Sequence, residues 1–419
     1  MDADLLVIGL GYVGPPLARE AVFSGLRVVG FDLKHEVVAQ LNAGHSHVGD
    51  ISDGDLREML SRGFRATASE DQASGPEIVV ICVPTPLSAD SLPDLTAVCA
   101  AAEMAGRMLR SGTLVVLEST TYPGTTDEII RPLLEGASGL TVGTDFHLAF
   151  SPERIDPGNK IYSLRNTPKV VGGQTPACAD AAARFYGKLC DQVVRAKSAR
   201  EAEMAKLLEN TYRHVNIALV NEMAVFCHEL GVDLRDAIGC AATKPFGYQA
   251  FYPGPGVGGH CIPIDPNYLS YKVRTLGYPF RFVELAQEIN ARMPTYVVDR
   301  AAELLNHNTR ALNGARVLLL GVTYKRDVAD QRESPAAHVA RKLLARGAVV
   351  SYHDPYVPRW SVAGVPVPWA SDLDVEIKTA DLVILLQDHS HYDLDAISQE
   401  ARLVLDTRGR LASPQVSVL

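Results

Sequence analysis

The sequence lacks an apolar run long enough to cross a bilayer, and it lacks an excess of positive charge. No run approaches the roughly 18 apolar residues that a membrane span needs. With 40 basic and 49 acidic side chains, the formal net charge is −9, which disfavours binding to nucleic acids or anionic membranes in general. The first residues carry acids where a secretory leader carries lysine or arginine. We therefore expect a globular cytoplasmic protein that binds neither nucleic acid nor membrane.

Cysteine is also scarce, with seven residues in a chain of 419. The number is odd, and most of these residues stand in apolar segments, so the pattern favours reduced thiols over a disulfide framework. No second cysteine stands within zinc-ligand spacing of another, and we therefore predict no metal site. The seven positions are Cys82, Cys99, Cys178, Cys190, Cys227, Cys240 and Cys261.

Apolar runs alternate with amphipathic stretches at both ends of the chain, which predicts an α/β protein with two doubly wound, Rossmann-like domains. The stretch 200–230 between them has no Gly or Pro and predicts one long helix of roughly 45 Å, suited to linking domains or forming a dimer interface. A further helix is expected over about 282–305. The predicted domains are 1–195, 196–305 as a central helical region, and 306–419.

Three glycines form the pattern G-x-G-x-x-G between the first predicted strand and helix. Gly9 permits a tight turn, Gly11 permits close approach of a pyrophosphate, and Gly14 permits close packing of the helix on the strand. Asp32 ends the next predicted strand, where a carboxylate would bond a ribose 2′-hydroxyl and repel a 2′-phosphate. We predict an NAD site. A glycine turn used only for packing is the alternative, and Lys34 leaves NADP open.

Other candidate residues follow predicted strands, at the sheet edge where ligands bind in open α/β sheets. Thr85 lies in "CVPTP", and Thr120 and Thr121 lie in "ESTTYPGTT", where their hydroxyls can contact a cofactor or a water. Threonine and proline are also ordinary turn formers. Glu153 in "SPERIDPGN" can orient a water, although a solvated loop acid is the alternative reading.

On the predicted long helix, Lys206, Asn210 and either Arg213 or His214 recur at spacings of three and four, so they share one face. A solvated polar stripe is the usual explanation for such a face. A lysine and an amide one turn apart can instead stabilise a developing oxyanion if that face looks into a cleft.

The stretch "GPGVGGHCIPIDP", residues 254–266, is predicted to be a loop that carries a reactive thiol. Glycines allow close approach of a ligand and prolines stiffen the segment, neither of which a buried structural cysteine requires. Cys261 is therefore predicted to be a nucleophile, with a purely structural glycine loop as the alternative. Asp265 is its more plausible partner in the loop, because adjacent side chains in extended backbone, such as that of His260, point apart.

Taken together, "GLGYVG", "VPTP", "SPE", "EAEMAKLLENTYRHVNIALVNE" and "GGHCIPIDP" occur in the order of the UDP-glucose/GDP-mannose dehydrogenase family, which the whole chain resembles. The resemblance implies NAD-dependent, four-electron oxidation of the C6 hydroxyl of a nucleotide sugar to a carboxylate, in a homodimer or larger homo-oligomer with the long helix at the subunit contact. It also implies two doubly wound domains around a central helical region, the last of them binding UDP.

The resemblance further implies a role for each site residue. Asp265 and Thr120 would hold a water that helps take the hydroxyl proton, and Lys206 and Asn210 would stabilise the oxyanion. Cys261 would form a thiohemiacetal and then a thioester, which a water oriented by Glu153 would hydrolyse. Cofactor contacts would come from Gly9, Gly11, Tyr12, Val13, Gly14, Asp32, Pro84, Thr85 and Thr120, and substrate contacts from Glu153, Arg154, Lys206, Asn210, Arg213, Phe251, Tyr252, Gly258, Lys325 and Arg408.

The cysteine motif departs from the UDP-glucose branch of the family at His260 and Ile264. It is similar instead to the branch that acts on UDP-N-acetylglucosamine or UDP-N-acetylmannosamine, and either sugar is the expected substrate. UDP-glucose or dTDP-glucose remains the alternative. A non-catalytic nucleotide-sugar sensor and a two-electron Rossmann dehydrogenase are the other readings, although neither needs the cysteine.

Overall fold

The computed structural model describes residues 3–73, 75–88, 92–156, 158–159, 161–259 and 261–419, without the side chain of Cys261. The chain divides into two compact units. The first comprises Met1–Glu209 and Asn267–Tyr278, and the second comprises Asn210–Pro266 and Pro279–Leu419. The division into three domains at 195 and 305 stays a prediction.

The described residues of the first unit form one sheet of eight strands, in the order β3-β2-β1-β4-β5-β6-β7-β8. The first six strands are parallel, β7 is antiparallel to β6, and β8 is parallel to β7. The order 3-2-1-4-5-6 is that of a doubly wound dinucleotide-binding sheet, which confirms the predicted fold class for this part of the chain. The strands are β1 (Leu5–Ile8), β2 (Val28–Phe31), β3 (Arg65–Thr67), β4 (Ile78–Ile81), β5 (Leu114–Leu117), β6 (His147–Phe150), β7 (Lys169–Gly173) and β8 (Val193–Arg195).

Helices cover both faces of this sheet because its central strands are apolar on both sides. In β1, Leu5 and Val7 pack into one core cluster while Leu6 and Ile8 pack into another, as successive side chains of a strand point to opposite faces. Helices α1, α2, α3 and α6 contribute to the first cluster, and α4 and α5 to the second. They are α1 (Gly14–Phe23), α2 (His35–Asn42), α3 (Asp53–Ser61), α4 (Thr96–Met108), α5 (Arg131–Ser138) and α6 (Pro176–Tyr186), with a 3-10 turn at Glu70–Ala73 and a π-helical turn at Thr126–Ile130.

The described residues of the second unit contain a parallel sheet of five strands, ordered β10-β9-β13-β14-β15, and a small hairpin of β11 and β12. This is the 2-1-3-4-5 order of another doubly wound fold. Helices α10 (Arg281–His307) and α11 pack on one face, and α12 and α13 pack on the other. The elements are β9 (Arg316–Leu320), β10 (Val349–His353), β11 (Ser361–Val362), β12 (Val365–Pro366), β13 (Leu382–Leu385), β14 (Val404–Asp406), β15 (Val416–Val418), α11 (Pro335–Ala345), α12 (Leu373–Thr379) and α13 (Leu394–Glu400).

Four helices lie between the two sheets in the sequence: α7 (Ala199–Glu229), α8 (Leu234–Ala242), α9 (Cys261–Thr275) and α10 (Arg281–His307). The long helix is confirmed within one residue, and Gly231 after it has a φ of 66°, as a glycine beyond a helix C-terminus commonly does. None of the helices among the described residues combines the length and the apolarity that a membrane crossing requires.

The predicted loop 254–266 is wrong in its second half, because helix α9 begins at Cys261. Pro263 lies in the first turn, where backbone N–H groups have no partner within the helix, so its missing N–H costs nothing there. Pro266 lies further inside and gives up one hydrogen bond of the helix. Proline is therefore compatible with the first turn of this helix. The high glycine and proline content of the stretch led to the prediction of a loop there instead.

Candidate active site

The glycine pattern forms the connection between β1 and α1, and its three glycines have different surroundings. A Cβ on Gly9, whose φ is +98°, would lie 2.6 Å from the main-chain oxygen of Cys82, and a Cβ on Gly14 would lie 2.0 Å from that of Gly9. A Cβ on Gly11 would meet no heavy atom within 4 Å among the described residues beyond its two chain neighbours. Packing therefore requires glycine at two of the positions, while the third borders open space at the start of α1.

This connection fits a dinucleotide. No side chain caps α1 at Val13, so the positive dipole end of the helix is available to a pyrophosphate. Pro15 and Pro16 carry no N–H, so the first turn offers this group fewer hydrogen bonds than most helix starts do. The carboxylate of Asp32 is held after β2 by the N–H of Leu10 at 2.9 Å and that of Lys34 at 2.9 Å. Each carboxylate oxygen keeps a further lone pair for a ribose hydroxyl. Tyr12, also predicted to contact the cofactor, is 39% exposed.

The predicted residues after β4 and β5 lie at the same edge of the sheet, because these strands are neighbours. Pro84 is exposed, Thr85 is buried and Thr120 is half-buried. The hydroxyl of Ser119 donates to the main-chain oxygen of Val83 at 2.8 Å, which ties the two loops together. These residues lie at one edge, as predicted, because the parallel strands β4 and β5 both end there.

Glu153 and Lys206, both in the first unit, are buried and in contact. The ammonium of Lys206 donates to the main-chain oxygen of Glu153 at 2.5 Å and not to its carboxylate. Arg154 forms an ion pair with Glu209 at 2.8 Å and donates to the main-chain oxygen of Pro168 at 2.7 Å. The "SPER" segment is therefore anchored both to α7 and to the residue that precedes β7.

A buried ionic cluster beside Glu153 was missed by the sequence interpretation. Lys169 Nζ lies 2.8 Å from Glu118 Oε1 and 3.6 Å from Glu153 Oε2, and the Tyr186 hydroxyl donates to Glu118 at 2.5 Å. Burial raises the pKa of Glu118. Burial alone would lower the pKa of Lys169, but the carboxylates of Glu118 and Glu153 raise it. The sequence signal that could have revealed this cluster is a charged residue at the end of an apolar strand, as Glu118 is after β5 and Lys169 is at the start of β7.

In the second unit, the amide Nδ2 of Asn210 donates to Asp265 Oδ2 at 2.5 Å, and both residues are buried. One turn further along α7, His214 is 1% exposed, and burial lowers its pKa to about 4. Its neighbour Arg213 is exposed. Of the two residues that the sequence left open for this helix face, His214 is thus the buried one and carries no charge at neutral pH.

Cys261 is the first residue of α9. Its side chain and the whole of His260 lie outside the described residues. Gly258 is required by packing, because a Cβ there would lie 2.7 Å from both Glu333 O and Tyr324 Cβ. The glycines before the cysteine therefore hold their loop against residues 324–333, in addition to any role in admitting a ligand.

Lys325 and Arg408 follow β9 and β14 at the carboxyl edge of the second sheet. The loop of Lys325 is fixed by Asp354, which accepts the N–H of Val322 at 2.7 Å and a hydrogen bond from His389 at 3.0 Å. Arg408 Nε donates to the main-chain oxygen of Leu386 at 2.7 Å, and burial lowers the pKa of its guanidinium to about 10, so it stays charged at neutral pH.

Phe251 and Tyr252, which were predicted to contact the substrate, precede Gly254, where a Cβ would lie 3.2 Å from Arg408 Nη1. Phe251 is half-buried and Tyr252 is 51% exposed. Arg235, which the sequence interpretation missed, donates to the main-chain oxygen of Pro253 at 3.0 Å. The guanidinium groups of Arg235 and Arg408 therefore both lie beside the segment 253–254. Guanidinium groups suit anionic ligands such as phosphates.

Comparison with known proteins gives concordant matches. Models of the UDP-glucose/GDP-mannose dehydrogenase family match in succession: the NAD binding domain over residues 3–190, the central domain over 200–292 and the UDP binding domain over 318–413. UDP-N-acetyl-D-glucosamine 6-dehydrogenase of Pseudomonas aeruginosa is 37% identical, with 85% of this chain and 83% of that protein covered. UDP-N-acetyl-D-mannosamine dehydrogenase of Pyrococcus horikoshii is 34% identical, with 99% of this chain and 97% of that protein covered.

Solved structures agree with these matches. The structure of the UDP-D-ManNAc dehydrogenase of Pyrococcus horikoshii is 33% identical and has a TM-score of 0.90, with 100% of this chain and 99% of that chain covered. A UDP-glucose dehydrogenase of Pyrobaculum islandicum is 28% identical, with a TM-score of 0.86 and coverage of 100% of this chain and 97% of that chain.

Proposed function

We propose the reaction of this chain from one premise: it belongs to the UDP-glucose/GDP-mannose dehydrogenase family and is an NAD-dependent nucleotide-sugar dehydrogenase. The proposed reaction is four-electron oxidation of the C6 hydroxyl of a UDP-N-acetylhexosamine to a carboxylate. Bound NAD supplies the hydride acceptor, once for each two-electron stage. The observation that carries the proposal is the hydrogen bond between Asn210 of α7 and Asp265. Asp265 lies in α9, the helix that begins at Cys261.

In the first stage the C6 hydroxyl loses a proton and C6 loses a hydride. Asp265, with Thr120, holds the water that takes the proton. Lys206 and Asn210 stabilise the negative charge that develops on oxygen. The hydrogen bond from Asn210 supports this role for Asp265, because it holds the carboxylate in one orientation. The product of the stage is an aldehyde.

In the second stage the thiolate of Cys261 attacks the aldehyde carbon and gives a thiohemiacetal. Loss of a second hydride from this tetrahedral carbon gives a thioester, and a water oriented by Glu153 hydrolyses it. The position of Cys261 at the first residue of α9 supports a thiolate, because a helix N-terminus stabilises negative charge. The covalent bond also retains the aldehyde between the two stages.

The proposed substrate is UDP-N-acetylglucosamine or UDP-N-acetylmannosamine. Supporting observations are the names of the two relatives above and the basic residues of the second unit, Lys325, Arg408 and Arg235, which suit a diphosphate. The family match over residues 318–413 to a UDP binding domain supports the nucleotide.

The proposed assembly is a homodimer or larger homo-oligomer formed through α7. Tyr212, Leu219 and Phe226 recur every seven residues and therefore share one face of this helix. Their exposed fractions are 46%, 53% and 46%. Apolar side chains repeated along a helix face in this way are typical of a surface that another protein chain covers.

The proposed reaction is tested by counting the NADH formed per sugar consumed, with UDP-N-acetylglucosamine, UDP-N-acetylmannosamine, UDP-glucose, dTDP-glucose and GDP-mannose assayed separately. Two NADH per sugar with a UDP-N-acetylhexosamine supports the proposal. One NADH indicates simple alcohol oxidation, and none with any sugar indicates a non-catalytic binder. Preference for UDP-glucose or dTDP-glucose refutes the proposed substrate while leaving the reaction in place.

The covalent step is tested with Cys261→Ser. A serine hydroxyl is a far weaker nucleophile than a thiolate, so turnover should stop at the aldehyde or at a stalled adduct. Rapid quenching and mass spectrometry distinguish these species. The nucleophile assignment is wrong if this variant keeps full activity. Cys240→Ser, at an exposed free cysteine, is the matched control and should turn over normally.

A further inference from the structure

The cluster of Glu118, Lys169 and Tyr186 places charges in the interior of the first unit, where they require a physical reason. Glu118 is 1% exposed, Lys169 is 3% exposed and Tyr186 is fully buried. An ion pair removed from water seldom stabilises a fold more than apolar residues of the same size would. Stability alone therefore does not account for this cluster, and its contact with Glu153 indicates a role in the reaction.

The cluster holds Lys169 in a single position. Its ammonium lies 2.8 Å from Glu118 Oε1 and 5.0 Å from the centre of the Tyr186 ring, over which it forms a cation–π contact. The Tyr186 hydroxyl bonds the same carboxylate oxygen of Glu118. Lys169 begins β7, Glu118 follows β5 and Tyr186 ends α6, so three separate elements fix the ammonium.

The fixed ammonium in turn acts on the carboxylate of Glu153. Oε1 of Glu153 accepts the N–H of Ile155, while Oε2 has no hydrogen-bond partner in the described part of the chain and lies 3.6 Å from Lys169 Nζ. The hydrogen bond from Arg154 to the main-chain oxygen of Pro168 holds the two segments side by side. Lys169 is thus the charge that faces the oxygen of Glu153 left for a water.

The other titratable groups of this region do not replace that charge. Cys82 lies 3.9 Å from Glu118 Oε2, and burial raises its pKa, so it is a neutral thiol. Burial also raises the pKa of Cys190 to about 11. Lys206 bonds the main-chain oxygen of Glu153. The ammonium of Lys169 therefore interacts with two carboxylates, those of Glu118 and Glu153. Removal of the ammonium or of the Glu118 carboxylate changes the electrostatic stabilisation of Glu153, in opposite directions.

We propose that Lys169, anchored by Glu118 and Tyr186, is a positioning residue that orients the Glu153 carboxylate and stabilises its charged form for thioester hydrolysis. In that step the water oxygen bonds to the thioester carbon and the C–S bond breaks with its electron pair on sulfur. One proton of the water passes to Glu153, which then releases it to solvent and becomes a carboxylate again. The carboxylic acid product releases the other proton of the water to solvent. The inference rests on the proposed function, because the hydrolysis requires a thioester at Cys261.

The test is single-turnover hydrolysis of the acyl-enzyme as a function of pH in Lys169→Met and Glu118→Gln. Without the ammonium, hydrolysis should slow about tenfold or more, the thioester should accumulate on Cys261, and the acid limb of the profile should move to higher pH. Without the competing anion, Lys169 acts on Glu153 alone, and the acid limb should move to lower pH. If the cluster had only a structural role, the acid limbs of Lys169→Met and Glu118→Gln would not shift in opposite directions.

Lys169→Arg should hydrolyse the thioester faster than Lys169→Met, because it keeps the positive charge. Arg107→Met is the control: it removes an exposed basic residue that pairs with Glu70 at 2.9 Å, and hydrolysis should not change. Circular dichroism verifies that each variant is folded; if Lys169→Met does not fold, Glu118→Gln and Lys169→Arg still decide. Unchanged hydrolysis rates and acid limbs overturn the inference. If the wild type makes two NADH and Glu153→Gln accumulates the thioester while the Lys169 and Glu118 variants behave as wild type, the inference alone is wrong. If the wild type forms no thioester, the proposed function is wrong.

Discussion

Replacement of Gly11 by alanine should weaken NAD binding without destabilising the fold, whereas replacement of Gly14 should destabilise the fold itself. The two glycines belong to the same connection. A Cβ on Gly11 would meet no atom within 4 Å in the described part of the chain beyond its two neighbours, while a Cβ on Gly14 would lie 2.0 Å from Gly9 O. The space at Gly11 is therefore free for a ligand, and the space at Gly14 is filled by the protein.

The expected magnitudes follow from these distances. A methyl group inserted into a packed contact costs about 1–3 kcal/mol, so Gly11→Ala should raise the Kd of NAD about 5-fold to 150-fold. Gly14→Ala should lower the free energy of unfolding by about 1–3 kcal/mol or more, because backbone atoms and not a flexible side chain obstruct the Cβ. The better helix propensity of alanine, about 1 kcal/mol, does not offset a contact of this length.

The assay is calorimetric titration of each variant with NAD, together with urea unfolding followed by circular dichroism. Gly136→Ala, where a Cβ also meets nothing within 4 Å among the described residues, is the control for NAD binding and should leave the Kd of NAD unchanged. Because Gly136 lies inside α5, this variant should raise the free energy of unfolding by up to about 1 kcal/mol. The assignment of the glycine connection to the cofactor is refuted if Gly11→Ala binds NAD like the wild type. It is also refuted if Gly11→Ala loses as much stability as Gly14→Ala.

Three further outcomes are expected. Burial lowers the pKa of His214 from 6.5 to about 4, so the free energy of unfolding should decline by about 3 kcal/mol between pH 6.5 and pH 4. In urea unfolding, His214→Asn should flatten this dependence on pH, and His307→Asn, at an exposed histidine, should not. Arg408→Lys should raise the KM for the nucleotide sugar about tenfold with little change in kcat, since lysine cannot reproduce the guanidinium fork, while exposed Arg410→Lys should leave both unchanged. Leu219→Glu should shift the assembly toward monomers in analytical ultracentrifugation, and exposed Glu229→Gln should not; a monomeric wild type would contradict the proposed interface.

Several features could be predicted from the sequence because neighbouring residues encode them. The connection with Gly9, Gly11 and Gly14 and the long helix 199–229 depend on backbone freedom and on the absence of helix breakers over consecutive residues. The apolar runs similarly indicated buried parallel strands, and the six cysteines with described side chains are free, as predicted. The start of α9 at Cys261 was not predicted, because two prolines concealed a helix whose first turn tolerates one of them.

The sequence by itself thus determined the family, the α/β class and the candidate residues at the ends of strands. Only the tertiary structure decided which distant charges meet. Glu118 and Lys169 are separated by many residues, and they pair because β5 and β7 both border β6. Likewise, burial selected His214 and not Arg213 on α7. Local patterns depend on bonded neighbours, whereas charge pairing and burial depend on which elements the fold packs together.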